Sequence, residues 1–468
     1  MRMKRRTFLT GASLAAAATA AACAGREDVA TAAAVKPAAP SLAPPVKQPN
    51  ILLLCIDDLR DWVGYMNAHP GVHTPNIDRL RAESFSYDRA YCAVPVCISS
   101  RGSTLWGLTP ETAKLDGLND DAPYWALKKK SSERHPLPYW FSQAGYKTIS
   151  TGKVFHYQNG SQRFWDVFQP YENIPVVWGT KGSLFDYGLM AEDKIHTDQV
   201  SANFARSQFE QPHDKPWFMS IGLFQPHVPW RLPQWAFDLH PMDKVALPQV
   251  RADDLDDVPR LGVELVRDPA RKINGVQFAE HDVIVKAGLW REHVQAYLAA
   301  CSHTDAMVGQ ILDALANSAY AENTAVVLWS DHGYHLGEKL HWRKMTLWEQ
   351  ATRVPLLVRA PWRVAPGGQF DAPVSLVDLA PTLTDLAGIP TPEQFEGRSL
   401  IGITEPEAAG RPVDMRWGSA VSTRKGPWRW TRYEDGSQEL YNLVDDPREY
   451  NNLLGKGQAL EGGLAALG

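Results

Sequence analysis

The stretch that decides the fold is Asn50-Ile51-Leu52-Leu53-Leu54-Cys55-Ile56-Asp57-Asp58. An unbroken apolar run of this length, ending at two acids, reads as a strand buried on both faces. Parallel sheets bury their strands in this way. In open α/β sheets, ligands collect beyond the carboxyl ends of the strands. Asp57 and Asp58 therefore stand where chemistry is expected. Thr324-Ala325-Val326-Val327-Leu328-Trp329 repeats the pattern and ends at Ser330-Asp331-His332-Gly333. Hard divalent cations take carboxylate oxygens, and two acidic strand ends in one sheet make a candidate metal site.

Working outward, Tyr146–Ser150, Trp217–Gly222 and Pro355–Val358 read as further strands. Thr74-Pro75-Asn76 opens a helix, with proline in its first turn. Leu137–Ala144 reads as a short helix stopped by Gly145, and Val294–Ala316 carries helical periodicity. Strands alternating with helices imply a layered α/β domain. Beyond about residue 410 the pattern changes. Ser419–Thr423, Trp428–Tyr433 and Glu439–Leu443 read as short strands, with Asp435-Gly436 as a hairpin turn. The expected fold class is α/β: a large mixed, mostly parallel sheet sandwiched by helices, plus a small C-terminal antiparallel sheet. The catalytic domain is placed at residues 48–410 and the small subdomain at 411–468.

The 468 residues are 44% hydrophobic and 22% charged, which is ordinary globular usage and excludes bulk disorder. Lys+Arg 48 against Asp+Glu 53 gives a net charge of -5. The chain has no bulk cationic footprint for nucleic acid, so an anionic substrate requires locally concentrated positive charge. The five cysteines show neither a CxxC pair nor zinc spacing, which argues against a disulfide scaffold.

The N-terminus reads as an export signal. Lys4-Arg5-Arg6-Thr7-Phe8-Leu9 precedes a small, apolar run from Thr10 to Ala22, too short to span a bilayer. The paired arginines resemble a twin-arginine signal. Ala21-Ala22-Cys23-Ala24 resembles a lipoprotein cleavage site, which would make Cys23 a lipid anchor to the membrane. Residues 1–22 are expected to be the signal, and residues 23–47, rich in Ala and Pro, a flexible tether. The expected location is the periplasm or cell surface.

Pro95-Val96-Cys97-Ile98-Ser99-Ser100-Arg101 resembles C-x-P-S-R, the signature of the formylglycine-dependent sulfatases of the alkaline-phosphatase-like superfamily. Asp57-Asp58-Leu59-Arg60, Thr151-Gly152-Lys153-Val154-Phe155-His156, Gln225-Pro226-His227-Val228-Pro229, Ser330-Asp331-His332-Gly333 and Glu439-Leu440-Tyr441-Asn442-Leu443 follow in the family's order. Gly-Lys-Val-Phe-His and Pro-His-x-Pro are closest to the iduronate-2-sulfatase-like branch.

The resemblance implies that Cys97 is converted to formylglycine by a formylglycine-generating enzyme. The hydrated aldehyde then attacks the sulfur of a sulfated carbohydrate. It implies one Ca2+ per chain, held by Asp57, Asp58, Asp331 and His332 with the modified Cys97. Arg101 would orient the formylglycine, Lys153 and Lys344 would contact the sulfate, His156 would pair with the nucleophile, and His227 would protonate the leaving oxygen, alone or sharing that role with Lys344. A helix beginning at Ser99 would face the anion with its amide dipole. The chain departs from the pattern at Ser99, where the family has proline, within the segment the modifying enzyme reads. Two rivals remain: a phosphodiesterase or phosphonate monoester hydrolase on the same scaffold, and an unmodified, inactive glycan-binding surface lipoprotein.

Overall fold

In the computed structural model, the described residues are 42–117, 134–171, 186–267, 272–273, 276–277 and 281–455. The expected signal, Cys23 and most of the tether lie outside them. Among the described residues, no helix is long and apolar enough to cross a membrane.

The continuous apolar runs become central strands. Eight strands form the large sheet: β1 (Asn50–Asp57), β2 (Phe85–Tyr87), β3 (Lys147–Thr151), β4 (Val167–Gln169), β5 (Trp217–Pro226), β6 (Thr324–Ser330), β7 (Leu356–Arg359) and β8 (Gln369–Phe370). Their order across the sheet is β8-β2-β7-β6-β1-β5-β3-β4. β1 lies between β6 and β5, parallel to both, and every residue of β1 is buried. β7 runs antiparallel to β6, so the sheet is mixed but mostly parallel.

Alternation along β1 supplies both layers, because successive side chains point to opposite faces. Leu52, Leu54 and Ile56 pack with Ala202, Tyr297 and Val308. Ile51, Leu53 and Cys55 pack with Leu105, Phe141 and Leu383. Helix α1 (Pro75–Glu83) joins the first layer through Ile77 and Leu80, and the named partners lie on α2 (Cys97–Trp106), α3 (Leu137–Gln143), α4 (Thr197–Phe209), α5 (Trp290–Ala316) and α6 (Leu379–Leu386).

Register places the strand ends together. Ile56 pairs with Ser330 on one side, and Asp57 pairs with Pro226 on the other after a shift in the ladder. Thr151 pairs with Ile221. Asp57, Asp331, Lys153 and His227 thus emerge at one carboxyl edge, although they come from four separate strands.

The C-terminal sheet has four strands rather than three: β9 (Val413–Trp417), β10 (Ala420–Lys425), β11 (Trp428–Arg432) and β12 (Gln438–Asn442), in that order and antiparallel. β9 was missed. Its signal is the alternation of Val413, Met415 and Trp417, which are buried against Tyr91, Val94 and Leu347.

Candidate active site

The site is built on the turns that end the central strands and on one helix start. Asp57 closes β1, and Asp58 follows with φ 62°. A left-handed conformation is open to Asp at modest cost. Here it turns the second carboxylate back over the sheet edge beside the first. After β3, Gly152 has φ 71°, and a Cβ at Gly152 would meet the Gly222 carbonyl oxygen at 1.8 Å. Only glycine permits this approach of β3 to β5, and it directs Lys153 inward.

α2 begins at Cys97, two residues earlier than expected. Val96 is extended (φ -156°, ψ 141°), and its carbonyl accepts the Ser100 N–H at 2.9 Å. The helical ladder therefore starts with Cys97 as the first helical residue. Its side chain lies at the positive end of the helix dipole.

Around the Cys97 Sγ stand Asp57 Oδ1 at 3.3 Å, His332 Nε2 at 3.2 Å and Lys344 Nζ at 3.3 Å. His156 hydrogen-bonds the same sulfur. Lys153 Nζ pairs with Asp57 Oδ2, and Lys344 Nζ lies 2.5 Å from Asp58 Oδ1. His227 Nε2 lies 4.0 Å from Asp58 Oδ2, and its ring is partly exposed at the mouth. The structure thus brings Cys97, Lys153, His156, His227 and Lys344 into one pocket around two carboxylates.

Arg101 ties the strand ends together beside residue 97. Its Nε donates to Asp331 Oδ2 at 2.7 Å, Nη1 donates to the carbonyls of Lys153 and Val154, and Nη2 lies 3.8 Å from Asp57 Oδ1. It is fully buried and stitches together the ends of β1, β3 and β6. Asp331 is correspondingly engaged. Its Oδ1 accepts the N–H groups of Asp58 at 3.2 Å and His332 at 2.9 Å. Among the described residues, Asp57, Asp58, Cys97 and His332 form a group whose ligand atoms all lie within 4.8 Å of one another. Asp331 stands behind that group.

Electrostatics follow from this crowding. Burial opposes ionisation of the Cys97 thiol, yet Lys153, Lys344 and His332 pull its pKa well below the ordinary value. Burial likewise disfavours the charges of Lys153 and Lys344, but Asp57 holds the first ammonium and Asp58 the second, and both pKa values are raised. Burial lowers the pKa of His156, which favours a neutral imidazole beside the thiol.

Two further residues support Lys344: His341, which the sequence reads as a packing histidine, and Met345, for which the sequence carries no signal. His341 Nε2 donates to the Lys344 carbonyl at 2.8 Å, and Met345 N–H donates to the Pro95 carbonyl at 3.1 Å. They fix the backbone on either side of Lys344, where Arg343 and Met345 both have positive φ (73° and 75°). Such strain persists only where surrounding structure over-determines it.

Comparison with known proteins decides the family. The sulfatase family model matches residues 49–389. The chain belongs to the sulfatase family. A sulfatase of Formosa agariphila is 32% identical over 434 residues, covering 87% of this chain and 83% of its own length. Mouse iduronate 2-sulfatase is 32% identical over 393 residues, covering 73% of this chain and 69% of its own. Among solved structures, an enzyme in complex with its substrate D-glucosamine-2-N,6-O-disulfate matches with TM-score 0.67 at 21% identity, over 90% of this chain and 96% of that one. The phosphonate monoester hydrolase of Agrobacterium radiobacter matches with TM-score 0.69 at 18% identity, over 90% and 93%. At those identities the structures speak to the fold alone, which is the mixed, mostly parallel α/β architecture described above. As a member of its family, this sulfatase is a sulfuric ester hydrolase.

Proposed function

We propose that this sulfatase removes sulfate from a sulfated carbohydrate, with a formylglycine derived from Cys97 and a bound calcium ion. The observation that carries the reading is the convergence of Lys153, His156, His227 and Lys344 on Cys97 at the acidic end of the central strands. The carbohydrate comes from its relatives: iduronate 2-sulfatases are named for a sulfated uronate, and one structural neighbour holds a sulfated glucosamine.

The donor set fits a hard dication. Asp58 Oδ2 is buried without a hydrogen-bond partner, two of the group's four residues offer carboxylate oxygens, and a formylglycine at position 97 would put oxygen in place of the sulfur. Charge agrees. Asp57, Asp58 and Asp331 are matched by Arg101, Lys153 and Lys344, so the pocket alone is nearly neutral. Asp57, Asp58 and His332 with residue 97 would hold the ion, backed by Asp331; calcium there would leave the pocket positive toward a sulfate ester. A formylglycine at position 97 would supply a hydrated aldehyde as nucleophile.

The chain's own side chains do the rest. Lys153 and Lys344 are placed to hold the sulfate oxygens and to offset charge as the ester bond breaks. His156, kept neutral by burial, can take a proton from the nucleophile. His227, at the open mouth, can give a proton to the departing sugar oxygen. Export and a lipid anchor at Cys23 complete the reading, on the strength of Lys4–Leu9 and Ala21–Ala24.

Mass spectrometry of the Cys97 peptide from protein made with a formylglycine-generating enzyme tests the central step. Loss of the thiol mass in favour of the aldehyde, together with sulfate release from a sulfated sugar, is the expected result. Intact cysteine in every preparation would favour an inactive binder, because Ser99 stands where the modifying enzyme reads proline. The phosphonate monoester hydrolase neighbour supports a second reading. Parallel assays on sulfate esters and phosphonate monoesters with one preparation separate the two, and a higher kcat/KM on the phosphonate would replace the first reading.

A further inference from the structure

The turn that carries His227 is held from beneath by one buried carboxylate. Asp198 lies in the first turn of α4. Its Oδ1 accepts the Phe224 N–H at 2.6 Å and its Oδ2 accepts the Gln225 N–H at 3.0 Å. Phe224 and Gln225 belong to the end of β5, directly before Pro226 and His227. The His227 N–H in turn donates to the Phe224 carbonyl at 3.0 Å. The Phe224 ring lies 4.9 Å from the His227 ring and 5.1 Å from Lys153 Nζ. One peptide segment, clamped by one side chain, therefore carries His227, while Lys153 keeps its own anchor in the pair with Asp57.

His196 and His303 surround the carboxylate. His196 caps α4, and its Nδ1 accepts the Asp198 N–H at 3.1 Å. The His303 ring, from α5, lies 4.3 Å from that of His196. The ligand atoms of these three residues come within 4.8 Å of one another. The single lone pair of His196 Nδ1 receives an N–H, and both Asp198 oxygens receive strand N–H groups. The arrangement is a hydrogen-bonded clamp.

We infer that Asp198 is a positioning residue that fixes where His227 stands over the sulfatase pocket. The inference rests on the reading of His227 as the proton donor. Asp198→Asn keeps the side-chain size but replaces one acceptor oxygen with an NH2 group, so one strand N–H loses its partner. Relaxation of the turn then moves His227 while leaving Cys97, Lys344 and the acidic cluster in place.

The test is a cycle of Asp198→Asn and His227→Ala in the full chain, assayed on a sugar sulfate and on an activated aryl sulfate. Asp198→Asn is expected to lower kcat on the sugar sulfate by ~10-fold, with KM changed less than ~2-fold and the aryl sulfate nearly spared. In the His227→Ala background the same substitution is expected to add less than ~2-fold, because coupled residues are not additive. Equal losses on both substrates with full additivity would overturn the inference and leave Asp198 a fold residue. The imidazole signals of His227, followed by NMR in protein labelled at histidine, give a readout independent of catalysis. Their displacement by Asp198→Asn supports positioning even where His227→Ala spares sugar substrates, an outcome that would count against the acid role alone. Unmoved signals overturn positioning. Should Asp198→Asn fail to fold, Asp198→Glu keeps the charge, shifts the clamp by one methylene, and is read in the same way.

Discussion

Lys344 Nζ lies 3.3 Å from the Cys97 sulfur, although 247 positions separate them in the chain. The contact joins a strained loop after β6 to the first residue of α2. It brings the ammonium and the reacting position to the same side of Asp58, whose Oδ1 the same Nζ approaches at 2.5 Å. A cation placed there before substrate arrives costs no reorganisation during the reaction.

Lys344→Ala and Lys153→Ala should each lower kcat/KM by at least ~100-fold, about 2.7 kcal/mol of lost transition-state stabilisation. Lys153→Ala leaves Asp57 facing Arg101, whereas Lys344→Ala leaves buried Asp58 facing the imidazoles of His332 and His227, so the second variant should lose more thermal stability than the first. Steady-state kinetics beside a melting curve check this. A loss below ~5-fold for either variant would remove that lysine from sulfate contact.

Why this pocket was legible, and what was not, follows from where the sequence carries strong local constraints. β1 and β6 are buried on both faces, so their apolar runs are continuous, and the acids at their ends stand out. Gly152 announced its turn because no other residue tolerates the approach to Gly222. β2 and β8, of three and two residues, are too short to carry periodicity, and strand order across the sheet leaves no local trace. The start of α2 was read two residues late because Val96 and Cys97 lack the usual capping side chains; the extended Val96 backbone does the capping. Arg101 was read as a partner of residue 97, but its five donors reach further, to Asp331 and the Lys153 carbonyl. Asp198 was passed over because its partners are backbone N–H groups, which no side-chain motif records.

Metal removal gives the second prediction. If calcium sits among Asp57, Asp58 and His332, thorough chelation should abolish sulfate release. Calcium should restore it better than magnesium, whose stricter octahedral demand and reluctance to shed water fit an imidazole-containing protein site poorly. Elemental analysis of the active protein should find about one calcium per chain, within the range such oxygen-rich sites hold. Full activity in protein shown to be metal-free would defeat the assignment.

Acid should destabilise the fold through buried histidines. His240, whose Nε2 lies 2.9 Å from Ser302 Oγ, is lowered by burial to about 4. Burial also holds His303 and His335 well below the ordinary value. Between the lowered value and the ordinary 6.5, the unfolded chain binds protons that the fold refuses, so stability rises with pH across that window. The contribution of His240 is complete above 6.5 and is lost as pH falls toward about 4. Melting temperature should therefore fall between pH 7 and pH 5, and His240→Gln should flatten part of that slope. An identical slope in the variant would exclude His240 as a source.

The C-terminal sheet should prove inseparable from the catalytic loop. Arg429 of β11 is fully buried. Its Nη2 lies 2.6 Å from Glu349 Oε1, and its Nε faces Glu449 Oε1 at 2.9 Å. Glu449 Oε2 accepts the Glu349 N–H at 2.9 Å, while Lys339 reaches Asp254 at 2.8 Å and the Glu449 carbonyl. Lys339 and Glu349 bracket the segment that presents Lys344, so this network braces it from the side away from substrate. Removing one partner of a buried charge network leaves the others uncompensated, which costs ~3–5 kcal/mol. Arg429→Met should lose about that much in urea unfolding, with a fall in kcat/KM although Arg429 touches neither Cys97 nor Lys344. Arg429→Met combined with Glu449→Gln should regain part of the stability, because one stranded carboxylate is then neutral. A loss below ~1 kcal/mol for Arg429→Met, small beside the cost of stranding a buried charge, would mean that the apolar contacts of Val413, Met415 and Trp417 with Tyr91, Val94 and Leu347 hold the loop unaided.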